Sequence, residues 1–243
     1  MAKDNPKKQA AAANGVKKRP AFTFASIKSE MIEVIVGSSK QKYCIHKDIL
    51  CASSPVFQRR CNREAKGTKA LHIELLDSNP THFDVYVEWL YFDQLFTVET
   101  ENNYKGMNWD IFLSVYLLGY KLQDQKFKDA CVDIAFNNPT DRELLKLTSQ
   151  TKAMYKELPP SDQYRRLFVE FWAYSANENW FAPANAKHLR DAPMEFFRDV
   201  AKASIRITDG CAGSFGVRYF DQFKPKRSDF CDESKDTTNE NKV

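Results

Sequence analysis

No apolar run in this chain approaches the ~20 residues that a membrane-spanning helix needs. The lysine-rich start has no apolar stretch after it, so no secretory signal is expected. No Cys-x-x-Cys pair occurs among the six cysteines at 44, 51, 61, 131, 211 and 231. That spacing reads as reduced thiols in an intracellular protein of the cytoplasm or nucleus. An excess of charge is also missing from the body of the chain. Residues 1–20 hold Lys3, Lys7, Lys8, Lys17, Lys18 and Arg19 against Asp4, a local +5 within a net +4. The remaining residues are near neutral, which excludes a broad basic surface for nucleic acid. Non-specific, salt-sensitive contact by the tail is the most that charge supports. No internal repeat is visible.

Catalytic patterns are equally scarce. There is no Gly-x-Ser-x-Gly, and no cysteine stands in a recognised pattern with an activating histidine. Cys44, His46 and Cys51 are close in sequence, but a zinc site needs a fourth ligand from elsewhere. A core histidine beside buried thiols explains them more simply. His72, His82 and His188 stand alone. Gly210, Gly213 and Gly216 imitate a phosphate loop, yet no Lys-Ser/Thr follows and a helix rather than a strand precedes them. The chain is therefore read as a non-enzyme, with no catalytic residue, no metal and no cofactor.

What the sequence does contain is core. Hydrophobic residues make up 43% and aromatics 13% of 243 residues, enough for one large domain or a domain with a helical extension. Residues 1–20 show no apolar period and read as a disordered basic tail. Their two basic clusters loosely resemble a bipartite import signal. Residues 21–29 carry Phe22, Phe24 and Ile27 as a short packed segment. Residues 31–37 and 41–46 predict a hairpin turning through Ser38-Ser39. A helix over 47–54 gives way to a second at Pro55, with Ser54 as cap. Residues 61–69 read as a polar loop and 70–76 as a third strand. Asp77-Ser78-Asn79-Pro80 starts a helix with Phe83, Val87, Leu90 and Tyr91 on one face. Residues 97–108 read as a surface loop, and helices follow over 109–121 and 124–137, ended before Pro139.

The second half reads as all-helical. Thr140 and Glu143 form a capping box ahead of Leu144, Leu145 and Leu147. Pro159-Pro160-Ser161 resets the chain before a helix over 164–174, and Trp180-Phe181 close that unit. A last helix starts near Pro193 with Phe196, Phe197, Val200 and Ala201 on its apolar side. From Thr208 onward Gly, Ser and charge dominate, and 224–243 read as disordered.

The order of these pieces resembles the BTB/POZ domain. Val36-Gly37, His46-Lys47, Leu50-Cys51, Ser53, Ser54 and Phe57, and Trp89-Leu90-Tyr91 carry the resemblance. The later segments 165–181 and 194–203 are similar to the helical region after that domain in fungal BTB-domain proteins. The implied fold is α+β: a small sheet flanked by helices over 30–137, then a helical extension over 140–205 and a tail over 206–243. The implied function is protein–protein interaction, as an adaptor or scaffold linked to ubiquitin-ligase assembly. The alternative is a nuclear regulatory cofactor that uses its basic tail for import. Other proteins, a second copy included, are the implied partners, without a membrane. Gly37 is expected at positive φ, His46 to satisfy loose backbone groups at its junction, and Trp89 and Tyr91 to bury their rings. Two departures stand out. Phe92-Asp93 replace the Thr-Gly frequent in relatives, so Phe92 is a candidate contact. The hydrophobic-x-Glu motif that relatives use on cullins is here Asn62-Arg63-Glu64, with an amide in the apolar place. Cys61, Asn62, Glu64 and Phe92 are thus the candidate partner-binding residues.

Overall fold

The computed structural model describes residues 28–64, 72–93, 95, 98–99, 105–106, 109–137 and 145–211. Strand β1 (Met31–Val36) is the centre of a three-stranded sheet. Its β-branched run alternates, so Ile32, Val34 and Val36 are fully buried on one face. On one side it pairs antiparallel with β2 (Gln41–His46), Met31 opposite His46. On the other it pairs parallel with β3 (His72–Leu75), Glu33 opposite His72. A parallel neighbour needs a crossover, and helices α1 (Lys47–Ser53) and α2 (Pro55–Glu64) supply it. Gly37 has φ +73°, and a Cβ there would stand 2.9 Å from Pro80 Cδ. The glycine is required twice, by its backbone and by the close passage of the next helix.

Ser54 does cap α2. Its Oγ accepts from the Phe57 amide at 3.3 Å and donates to the Leu122 carbonyl at 2.6 Å. The helix runs four residues into the segment expected as a loop, because Cys61 lands on the core face and is 1% exposed. Helix α3 (Pro80–Phe92) starts at Asn79, whose side chain accepts from the Thr81 amide. Its buried face is Phe83, Tyr86, Trp89 and Leu90, rotated from the expected one; Val87 and Tyr91 are half-buried. Asp93 ends it in the left-handed region, φ 55°, with its amide donating to the Trp89 carbonyl. The expected surface loop after it contains two paired two-residue strands, β4 (Val98–Glu99) and β5 (Lys105–Gly106).

Helices α4 (Trp109–Leu122) and α5 (Gln125–Asn137) pack closely. The capping box expected at Thr140 and Glu143 lies outside the described residues, as do the N-terminal tail and residues 21–27. Leu145 and Leu147 are core, and a 3₁₀ turn leads into α6 (Thr151–Glu157). Helix α7 (Gln163–Ser175) is capped by Asp162, followed by short turns and α8 (Ala186–Leu189). Helix α9 (Met194–Cys211) is longer than the sequence suggested. Its buried residues are Phe196, Val200, Ala203 and Ile207, spaced as one helical stripe, while Ala201 is exposed. Phe197 is half-buried against Trp172. The fold is α+β with a helical extension, and one continuous hydrophobic cluster runs from Ile32 through to Ala203.

The two parts join at Asp162. Its carboxylate accepts from the Tyr116 hydroxyl of α4 at 2.9 Å and pairs with Lys128 of α5 at 3.2 Å. The same carboxylate takes the amides of Tyr164 and Arg165 at the start of α7. Tyr116 and Tyr164 rings lie 4.9 Å apart, and Phe112 and Tyr164 rings 5.2 Å apart. Burial and then the Asp162 charge push the Tyr116 phenol well up, so it stays a donor.

Candidate interaction surface

Of the four candidate partner residues, the structure places two on the surface. Phe92 is the last residue of α3 and 68% exposed. Asn62 is exposed on the last turn of α2. Cys61 is instead a core residue beside Cys51, so its side chain is not available to a partner. The side chain of Glu64 lies outside the described residues. Among the described residues, no hydrogen bond or ring contact links Phe92 to Cys61 or Asn62.

Phe92 does belong to a different group. Its ring is 6.4 Å from Tyr91. The Tyr91 hydroxyl accepts the His46 amide at 3.2 Å and meets His46 Nδ1 at 2.8 Å. His46 is therefore held by a tyrosine, not by capping the helix after it, where it makes no side-chain bond. Opposite His46 across the hairpin stands Met31, 47% exposed. Met31, His46, Tyr91 and Phe92 thus run as a linked series at one end of the sheet. Sequence reading found Phe92 by its departure from relatives. It missed Met31, because the first residue of a strand reads as core until the sheet register is known.

Several chemistry-bearing side chains away from this end have structural roles. Asp124 is fully buried and accepts from the Tyr86 hydroxyl at 2.9 Å, the Phe127 amide at 3.0 Å and the Ser53 hydroxyl. Those bonds start α5 and tie it to α1 and α3. Burial and the neighbouring Cys61 push the Cys51 thiol up to about 12. Burial also raises Cys131 well above its usual range. Both stay protonated near neutral pH, the opposite of what a nucleophilic thiol needs. His82 is lowered by burial. Among the described residues no group of three His, Cys, Asp or Glu side chains comes together as a metal site. Among them, too, no helix is long and apolar enough to cross a membrane.

Comparison with known proteins gives the following. Residues 25–135 match the family model described as BTB/POZ domain. No curated protein sequence matches the chain. Among solved structures, the BTB domain of zebrafish PATZ1 is similar at 14% identity and a TM-score of 0.34, covering 44% of this chain and 75% of that one. The BTB domain of human Gigaxonin is similar at 16% identity and a TM-score of 0.33, covering 42% of this chain and 75% of that one.

Proposed function

Residues 25–135 are a BTB/POZ domain, a protein–protein interaction module, and from that premise we propose that the chain is an adaptor or scaffold whose contact surface includes Phe92. The exposure of Phe92 carries the reading. A phenylalanine ring 68% in water, at the end of α3 whose Tyr91 holds His46, is apolar area left open to a partner. A partner or second copy covers it at a gain of about 25 cal/mol per Å² of apolar surface. Phe92→Ser is expected to weaken self-association or partner binding without moving the melting temperature. Sedimentation across a concentration series and thermal unfolding check the two halves. A monomer at every concentration sinks self-association, and a melting temperature many degrees lower makes Phe92 structural.

Ubiquitin-ligase assembly is the less supported part of this proposal. Asn62 is exposed where an apolar anchor belongs, and an unpaired amide in an apolar pocket costs about 1–3 kcal/mol. A second reading, a nuclear regulatory cofactor, is favoured by the six basic residues among 1–20. Removing residues 1–20 from a fluorescently tagged chain is expected, on that reading, to shift it from nucleus to cytoplasm. An unchanged distribution removes the import role.

A further inference from the structure

The outer face of the sheet carries a set of donor atoms that protein interaction does not require. Residues opposite each other on paired strands share a face, and so do residues two apart along one strand. Ile32, Val34 and Val36 face the core. Met31 and Glu33 of β1 therefore lie on the other face, with His46 and Cys44 of β2 opposite them. Cys44 and His46 stand about 7 Å apart along their strand. Met31 and His46 form the closer kind of cross-strand pair. The Lys47 amide donates to the Glu30 carbonyl at 2.8 Å, and the His46 amide turns away to Tyr91. That is the pattern of a pair without mutual hydrogen bonds, whose Cα atoms are about 4.5 Å apart. A thioether, a thiol and an imidazole thus share one corner of the sheet.

All three are open to solvent. Met31 is 47% exposed, Cys44 is an exposed free cysteine and His46 is half-buried. Tyr91 holds the imidazole, its hydroxyl 2.8 Å from Nδ1 and its ring edge on at 5.9 Å. With Nδ1 engaged, Nε2 is the ring nitrogen left for a metal, and an outer contact of this kind orients a ligating histidine. The charges nearby are already paired, Glu33 with Lys42 at 3.2 Å and Glu30 with Lys47 at 3.5 Å. No third histidine, cysteine or carboxylate joins Cys44 and His46 as a metal site among the described residues, so zinc lacks its usual donors. Thiolate, thioether and imidazole are instead the donors of a soft cation. We propose that Met31 Sδ, Cys44 Sγ and His46 Nε2 form a three-coordinate site for monovalent copper. On binding, the Cys44 thiol gives its proton to solvent and its sulfur takes the cation, with no electron transferred. The ion then ties the start of β1 to the end of β2.

Titrating the full chain, reduced and free of oxygen, with monovalent copper held by the chelator bicinchoninate tests this. The chain is expected to draw one ion from the chelator. X-ray absorption of the bound copper is expected to show two sulfur neighbours and one nitrogen. Cys44→Ser and Met31→Leu are each expected to weaken binding at least about tenfold, the least that losing even an outer contact of a metal site costs. Cys51→Ser is expected to leave it unchanged. Met31 and Cys44 lie outside the core, and thermal unfolding confirms that each variant is folded. A chain that takes no copper from the chelator overturns the proposal. So does affinity that survives Cys44→Ser or Met31→Leu, which puts the ion on other sulfurs. A coordination shell of sulfur alone overturns it as well. One ion for every two chains does the same, by making copper a bridge between copies.

Discussion

Asp162→Ala is expected to lower the free energy of unfolding by about 3–5 kcal/mol, the usual cost of removing one partner from a buried ion pair. Three losses coincide. The Asp162 side chain is 1% exposed and Lys128 12% exposed, so the ammonium is left charged with little water to replace its partner. The Tyr116 hydroxyl loses its acceptor, and α7 loses its cap. Asp162→Asn separates these causes. The amide oxygen still caps α7 and accepts from Tyr116, so only the charge pairing goes, and a smaller loss is expected. Asp162→Asn with Lys128→Met removes both charges and is expected to recover much of it. Denaturant unfolding of the four proteins gives the comparison. A midpoint unmoved by Asp162→Ala shows that this network does not hold the two parts together.

Trp89→Ala is expected to cost a similar amount, about 3–5 kcal/mol, through a different mechanism. The indole is 7% exposed, and its ring lies 5.9 Å from Phe127, edge on. Phe127 in turn sits edge on to Tyr86 at 5.0 Å. Truncation opens a cavity at the contact of α3 with α5, which these rigid rings cannot close by relaxing. The change falls on packing rather than charge, so it is insensitive to salt. A denaturation midpoint equal to that of the unsubstituted chain means that the indole is not part of the core.

These two positions differ in how far the sequence disclosed them. The helix start at Asn79-Pro80 was legible as a local signal, but apolar spacing alone put Val87 and Tyr91 on the core face, and the burial of Trp89 was expected only from the family resemblance. Strand β1 was legible too, because its alternation needs no partner to be seen. The role of Asp162 was not legible. The sequence shows a Pro-Pro-Ser turn ahead of a helix, but Lys128 is 34 residues earlier and nothing local pairs the two. Arg165 and Arg166 look alike in sequence. Helix phase buries the first over the Tyr155 ring, 3.6 Å from its centre, and leaves the second exposed. Cys61 was misplaced for a similar reason. CNRE is polar enough to read as loop, yet a helix needs only one apolar position per turn to stay on the core. The proposed partner surface was half legible. Phe92 stood out as a departure from relatives, whereas Met31 needed the β1–β2 register.

Helix α4 has buried residues on both sides. Phe112 and Tyr116 stack on Tyr164 of the extension, while Gly119 lets Phe127 approach so near that a Cβ would stand 2.5 Å from it. The family match ends at residue 135, but the packing does not. Residues 25–135 produced without the extension would lack Tyr164, which covers the rings of Phe112 and Tyr116, and the Asp162 carboxylate that pairs with Lys128.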